Sequence, residues 1–143
     1  MGTSDRHRAA HEAFNSRNWE GVVGDCAPDA EYIDHARGMT MKNPQQFIDY
    51  LRGGWTTAFS DATVASARYI ETADRSIAQF NGTGTNDGPL GRMAASGRTM
   101  NLPFCEIVSF DADGRVVRGE LYYDQASMLV QLGHISPPEG GGR

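Results

Sequence analysis

The stretch from Phe110 to Gly133 constrains this chain more than any other. Phe110-Asp111-Ala112-Asp113-Gly114-Arg115-Val116 reads as two strands joined at an Asp-Gly turn. The second strand runs into Tyr122-Tyr123-Asp124. A short apolar segment follows, Gln125 to Leu132, and stops at Gly133. Asp at the start and Gly at the end are helix punctuation. The order is therefore strand, tight turn, strand, capped helix. It ends a run of predicted strands at about 62–72, 76–85, 98–110 and 115–123. Helices come first, strands follow, and one helix closes the chain, which is an α+β layout.

The N-terminal part supplies the other helices. A helix is expected over about 5–17, with Ser4 as cap and Ala10, Ala13 and Phe14 on one face. Trp19, Val22 and Val23 continue as a second short helix ending near Gly24, then come a strand over 30–34 and a crossing segment over 38–41. Asn43-Pro44-Gln45-Gln46 is a strong helix start, with Asn as cap, Pro at the first position and Gln46 reaching back. The helix after it presents Phe47, Leu51, Trp55 and Phe59 on one stripe. Gly53-Gly54 interrupts it at about 1 kcal/mol each relative to Ala, which marks a close approach. The loop Asn86 to Arg92 is expected as a lid at a pocket mouth. The residues over about 5–133 are expected to form one ordered domain of the 143-residue chain, and 134–143, rich in Pro and Gly, are expected as a flexible tail.

Composition narrows the function classes. A net charge of −5 argues against nucleic-acid binding, which needs a basic face. A mean hydropathy of −0.48 and the lack of a long apolar run argue against a membrane span. Met1 to Arg8 has no apolar run after it, so a cytoplasmic location is expected. Cys26 and Cys105 make no disulfide framework, and Cys105 in an apolar strand reads as a buried thiol. There is no phosphate loop and no nucleophile elbow. His7 and His11 are spaced i, i+4, but no third metal ligand is visible beside them. The expectation is chemistry without metal, flavin or nucleotide cofactor, carried by acid–base groups in a shaped cavity.

Three acids stand out. Asp124 is a helix cap and also a candidate carboxylate at a cavity wall. Alternation places Tyr32 and Asp34 on one side of their strand, so a phenol and a carboxylate enter a pocket together. His35 should point the other way unless a bulge intervenes. Glu106 lies among Leu102, Phe104 and Cys105, so a buried carboxyl is conceivable. On the last strand Glu120, Tyr122 and Asp124 share one face and Leu121 and Tyr123 the other; alternation does not say which faces the cavity. Asp124, Asp34 and Tyr32 are the catalytic candidates. Phe14, Phe47, Leu51, Trp55, Phe104 and Leu121 are expected to contact substrate as apolar walls. His35, Asn101, Glu106 and Tyr122 are expected to contact it as polar ones.

Ala13-Phe14-Asn15-Ser16-Arg17-Asn18-Trp19, Ala30-Glu31-Tyr32-Ile33-Asp34, and Tyr123-Asp124 with Gln131-Leu132-Gly133 resemble the SnoaL-like polyketide cyclases and hydroxylases of the nuclear transport factor 2-like superfamily. The resemblance spans about Asp5 to Gly133. It implies a cone-shaped α+β barrel, with a strongly curved, mostly antiparallel sheet and helices enclosing an apolar cavity. The other sheet face must also be covered, so a homodimer is expected. Ketosteroid isomerases of the same superfamily place their proton-shuttling Asp at the point matching Asp34. The cyclases' catalytic Asp falls at Leu121 and a pocket His near Glu106. The resemblance therefore implies a tailoring enzyme for aromatic, anthracycline-type polyketides. With Leu121 in the acid's place, cofactor-independent ring hydroxylation is favoured, a separate reductase supplying reduced substrate. A cyclase performing an intramolecular aldol condensation and a non-catalytic binding module for hydrophobic ligands are the alternatives.

Overall fold

A computed structural model describes residues 1–138. Six strands form one sheet in the order β2-β1-β6-β5-β4-β3. They are β1 (Cys26–Asp34), β2 (Met39–Met41), β3 (Thr63–Glu71), β4 (Arg75–Thr85), β5 (Thr99–Phe110) and β6 (Val116–Tyr123). All neighbours are antiparallel except β1 and β6, which run parallel. The long strands lie where periodicity and turn residues put them. The sheet is not closed, since β2 and β3 are its two edges, so the expected cone is open rather than a full barrel. The crossing segment over 38–41 is strand β2, paired to β1 through Tyr32–Met41 and Asp34–Met39.

Helix α1 (Thr3–Asn15) begins two residues earlier than expected. Gly2, not Ser4, is its cap, and its backbone N–H donates to the Asp5 carboxylate at 3.1 Å. Ser4 instead binds the Glu71 carboxylate with its backbone N–H at 2.9 Å and its hydroxyl at 2.7 Å. After α2 (Trp19–Val22), α3 (Pro44–Leu51) starts at Asn43, whose side chain accepts from the Gln46 N–H at 2.9 Å. Gln46 reaches back one residue further than expected, to the Lys42 N–H at 2.8 Å. The Gly53-Gly54 break is a π-helical turn over Arg52–Thr56, closed by Thr57 N–H donating to Arg52 C=O at 2.9 Å. Gly54 has a reason: a Cβ there would lie 2.8 Å from Arg37 Nη1, which donates to the Gly54 carbonyl at 3.0 Å.

Alternation on the long strands sends one row of side chains inward. Met100, Leu102, Phe104, Glu106, Val108 and Phe110 form that row on β5, all buried. Helices α1 and α3 cross this inner face, and α4 (Gln125–Gln131) closes the far end with Met128 fully buried. Burial of this apolar layer is the main stabilising term. Among the described residues, no helix is long and apolar enough to cross a membrane. Of the expected 134–143 tail, residues 139–143 lie outside the described residues; Ser136 to Pro138 form no helix or strand.

Candidate functional site

A cavity of about 160 Å³ lies between the inner sheet face and α1 and α3. Its walls are mostly apolar and include Phe14, Phe47, Leu51, Trp55, Phe104 and Leu121. Those six are the residues expected to contact a substrate as apolar walls. Four of its polar groups cluster in one place. His7 and His11 come down from α1, Tyr32 comes from β1 and Glu106 from β5.

Glu106 is the centre of this cluster. Its Oε1 accepts from His7 Nε2 and His11 Nε2, each at 2.7 Å, and its Oε2 accepts from the Tyr32 hydroxyl. The outer ring nitrogens are also partnered. His7 Nδ1 lies 2.7 Å from Ser76 Oγ, and His11 Nδ1 lies 2.8 Å from the Tyr69 hydroxyl. Both imidazoles thus fit as Nε2–H tautomers that donate inward and accept from a hydroxyl on the other side. Burial pushes the Glu106 carboxyl up, but the field and hydrogen bonds of His11 and His7 outweigh it and hold the group well below the usual range. Burial and the facing Glu106 charge push the Tyr32 phenol well above its ordinary value, so it stays a donor.

This cluster is legible in the sequence only in parts. The i, i+4 histidines do meet a third ligating group, Glu106, and it lies across the sheet. The candidate atoms of His7, His11 and Glu106 all lie within 4.8 Å of one another, and all three residues are buried. By residue type they could hold a divalent metal. As a proton device, the cluster sets a charged carboxylate and the phenol that donates to it side by side at an apolar wall. An acidic proton of a bound ligand has a path to Tyr32 and on to Glu106 Oε2.

The other candidates are placed differently. Asp34 is fully buried but does not line the cavity. Its Oδ2 accepts from the Tyr50 hydroxyl at 2.5 Å and the Tyr123 hydroxyl at 2.9 Å, and its Oδ1 from Arg37 N–H at 2.9 Å. Two phenols close over it. Trp55 Nε1 donates to the Tyr50 oxygen at 2.8 Å, and the Arg37 guanidinium stacks 4.1 Å over the Trp55 ring. Tyr50, Tyr123 and Arg37 are missing from the expected site, as are His7, His11, Ser76 and Tyr69. Ser76 has a usable signal, since it stands on the inward row of β4.

Asp124 does not reach the cavity. It lies past the end of β6, exposed, and caps α4 by accepting from Ser127 N–H at 3.2 Å and Ser127 Oγ at 2.7 Å. Tyr122 and His35 lie on the outer face, where their rings stack at 4.5 Å and His35 Nε2 lies 2.9 Å from the Glu120 carboxylate. Asn101 is also outside, accepting from Asn81 Nδ2 at 2.7 Å and donating its backbone N–H to Gln131 at 2.9 Å. The inward side of β6 is the one carrying Leu121 and Gly119. Nor is the loop 86–92 a lid: none of its residues lines the cavity. The Asn86 side chain pins it from inside, donating to the Ala58 and Gly88 carbonyls at 3.2 and 2.8 Å.

The family model of the SnoaL-like domain matches residues 7–119, and the chain belongs to that family. Solved structures share the fold. AclR from Streptomyces galilaeus, a candidate hydroxylase, is 19% identical, with a TM-score of 0.81 over 96% of this chain and 85% of that one. IdmH from Streptomyces antibioticus, a candidate polyketide cyclase, is 23% identical, with a TM-score of 0.80 over 93% and 99%. A candidate SnoaL-like polyketide cyclase from Jannaschia sp. CCS1 is 17% identical, with a TM-score of 0.82 over 95% and 93%. No curated protein sequence matches the chain.

Proposed function

We propose that this protein is a tailoring enzyme that binds a flat, apolar aromatic molecule of polyketide type and removes a proton from it at the Tyr32–Glu106 pair. One observation carries the reading. A charged carboxylate, held by three donors, lies at the wall of an apolar, aromatic-lined cavity. A carboxylate held this low is a weak base, so the pair suits a ligand whose ring hydroxyl or enol is itself acidic, its proton passing through the Tyr32 hydroxyl. A candidate hydroxylase and candidate polyketide cyclases among the structural relatives support the substrate class.

The leading outcome is hydroxylation by dioxygen. A reduced, quinol-type ring gives up a proton and then two electrons to dioxygen. One oxygen atom bonds to a ring carbon in place of hydrogen, and the other leaves as water. The product is a hydroxylated quinone, so a separate reductase is the partner that supplies the quinol. The test is turnover of a reduced anthraquinone-type quinol under ¹⁸O₂, with one labelled atom expected in the product and loss of turnover in Glu106→Gln.

Ring closure by an aldol step is the second reading, and one observation favours it. Glu106 and Leu121 are directly paired across β5 and β6. A carboxylate thus stands opposite the position where the family resemblance puts the cyclase acid. Closure of an open methyl-ester precursor with no label incorporated would replace the hydroxylase by the cyclase.

A further inference from the structure

We propose that His7, His11 and Glu106 form a binding site for one divalent first-row transition metal, with its open coordination positions facing the cavity. The argument starts in the sequence. Histidines at i and i+4 lie on one face of α1, one turn apart. That face looks onto the inner row of β5, where Glu106 is the acidic member. The three side chains could have satisfied one another in many ways. They converge instead: both Nε2 atoms point at the same oxygen, Oε1, each at 2.7 Å, while Oε2 takes only Tyr32. Two imidazole nitrogens and one carboxylate oxygen meeting at one buried point are the donors of a two-histidine, one-carboxylate metal site.

The surroundings fit the same reading. Each ring is fixed from behind by a hydroxyl on Nδ1, Ser76 for His7 and Tyr69 for His11. Metal-bound histidines are oriented by such partners on the second nitrogen. A hydroxyl both donates and accepts, so each ring can move its proton from Nε2 to Nδ1 and free the inner nitrogen. Ligand atoms 2.0–2.1 Å from a tetrahedral centre lie about 3.3 Å apart. The present 2.7 Å contacts must therefore open by roughly half an ångström, and the cavity leaves room on one side. All three residues line it, so the remaining coordination positions face a bound molecule.

The donor set is borderline, which selects zinc, cobalt or ferrous iron over calcium or magnesium. A dication on a singly charged site leaves one positive charge facing the cavity. A phenolate or enolate oxygen would neutralise it. The inference concerns the residues of the proton-abstraction reading but needs no turnover to be tested, so either can fail alone.

The full chain, stripped with a chelator and shown folded by circular dichroism, is titrated with ZnCl₂ by calorimetry and with CoCl₂ by visible absorbance. The expected result is one metal per chain and cobalt d–d bands of a four- or five-coordinate nitrogen–oxygen site. His11→Ala should weaken binding by roughly 100-fold and Tyr69→Phe by about 10-fold. Asp124→Asn, on the outer face, should leave it unchanged. If His11→Ala does not fold, wild-type crystals soaked in ZnCl₂ decide through anomalous scattering, with the peak expected between the two Nε2 atoms and Oε1. No binding, binding indifferent to these variants, or a peak elsewhere would each overturn the proposal.

Discussion

Replacing Glu106 tests how much of this fold rests on one carboxylate. Glu106→Ala leaves three buried donors, His7 Nε2–H, His11 Nε2–H and the Tyr32 hydroxyl, without an acceptor. An orphaned buried donor costs about 1–3 kcal/mol, giving roughly 3–9 kcal/mol for three. The cavity beside them can admit water, so the lower part of that range is expected, about 3–5 kcal/mol. For 143 residues at about 2.1 cal/mol/K each, 1 kcal/mol corresponds to roughly 3 °C in Tm. Alanine should therefore lower Tm by roughly 10–16 °C. Glu106→Gln keeps the volume and one carbonyl oxygen for both histidines, but it turns the Tyr32 contact around and removes charge assistance. About 1–2 kcal/mol is expected, roughly 3–7 °C. Thermal melts and urea unfolding at constant m separate the two variants. Equal costs for Ala and Gln, or an Ala variant within about 3 °C of the parent, would refute the claim that three donors depend on this carboxylate.

The same pair of proteins gives a pH test. The folded Glu106 carboxyl is held below its unfolded value, so the stability it adds is fully present above about pH 4.3 and is lost as pH falls through its lower folded value. The Tm difference between parent and Glu106→Gln should shrink below about pH 4. Gly119→Ala should disturb the site from the neighbouring strand, where Gly119 pairs with Tyr32, because its Cβ would lie 2.5 Å from Tyr32 Cδ1. Overpacking of about 1–3 kcal/mol and a lower Tm are expected, with turnover lost as the Tyr32 ring leaves Glu106. Asp124→Asn should match the parent in Tm and activity, and Asp124→Ala should lower Tm alone, since the residue only caps α4.

Local signals carry most of the architecture. The Asp113-Gly114 turn, the Asn43-Pro44 start and the Asp124 cap lie where short-range chemistry fixes the backbone, with Gly114 at φ +80°. The site is legible only in halves. His7 and His11 are visible as a pair and Glu106 as a carboxyl among apolar neighbours, but 99 and 95 residues separate each histidine from its partner. Their meeting depends on α1 crossing the sheet at one level, which no local pattern encodes. Alternation also divides β6 into two faces without saying which meets the helices. Gly119 holds the missing clue. A strand glycine marks a close approach, here by the Tyr32 ring, and so identifies the inward side. Alternation correctly places Asp34 inward, but the phenols that seal it, Tyr50 and Tyr123, come from α3 and β6.

The pairing of Glu106 with Leu121 raises the question of whether the acid's strand matters or only its place in the cavity. Paired residues on neighbouring antiparallel strands have Cβ atoms about 4.5–5.5 Å apart. An acid on either strand therefore reaches nearly the same volume. If place is what matters, Leu121→Asp in the parent should be strongly destabilising, since it buries a second carboxylate against the first. The same change in a Glu106→Leu background should be far milder, because the carboxylate introduced on β6 then meets the donors that Glu106 has left. The coupling energy from the four proteins should favour the double variant by about 1–3 kcal/mol. Urea unfolding of parent, both single variants and the double variant measures it. Costs that add to within about 0.5 kcal/mol would show that the two positions do not share one site, and that Glu106 serves its own strand alone.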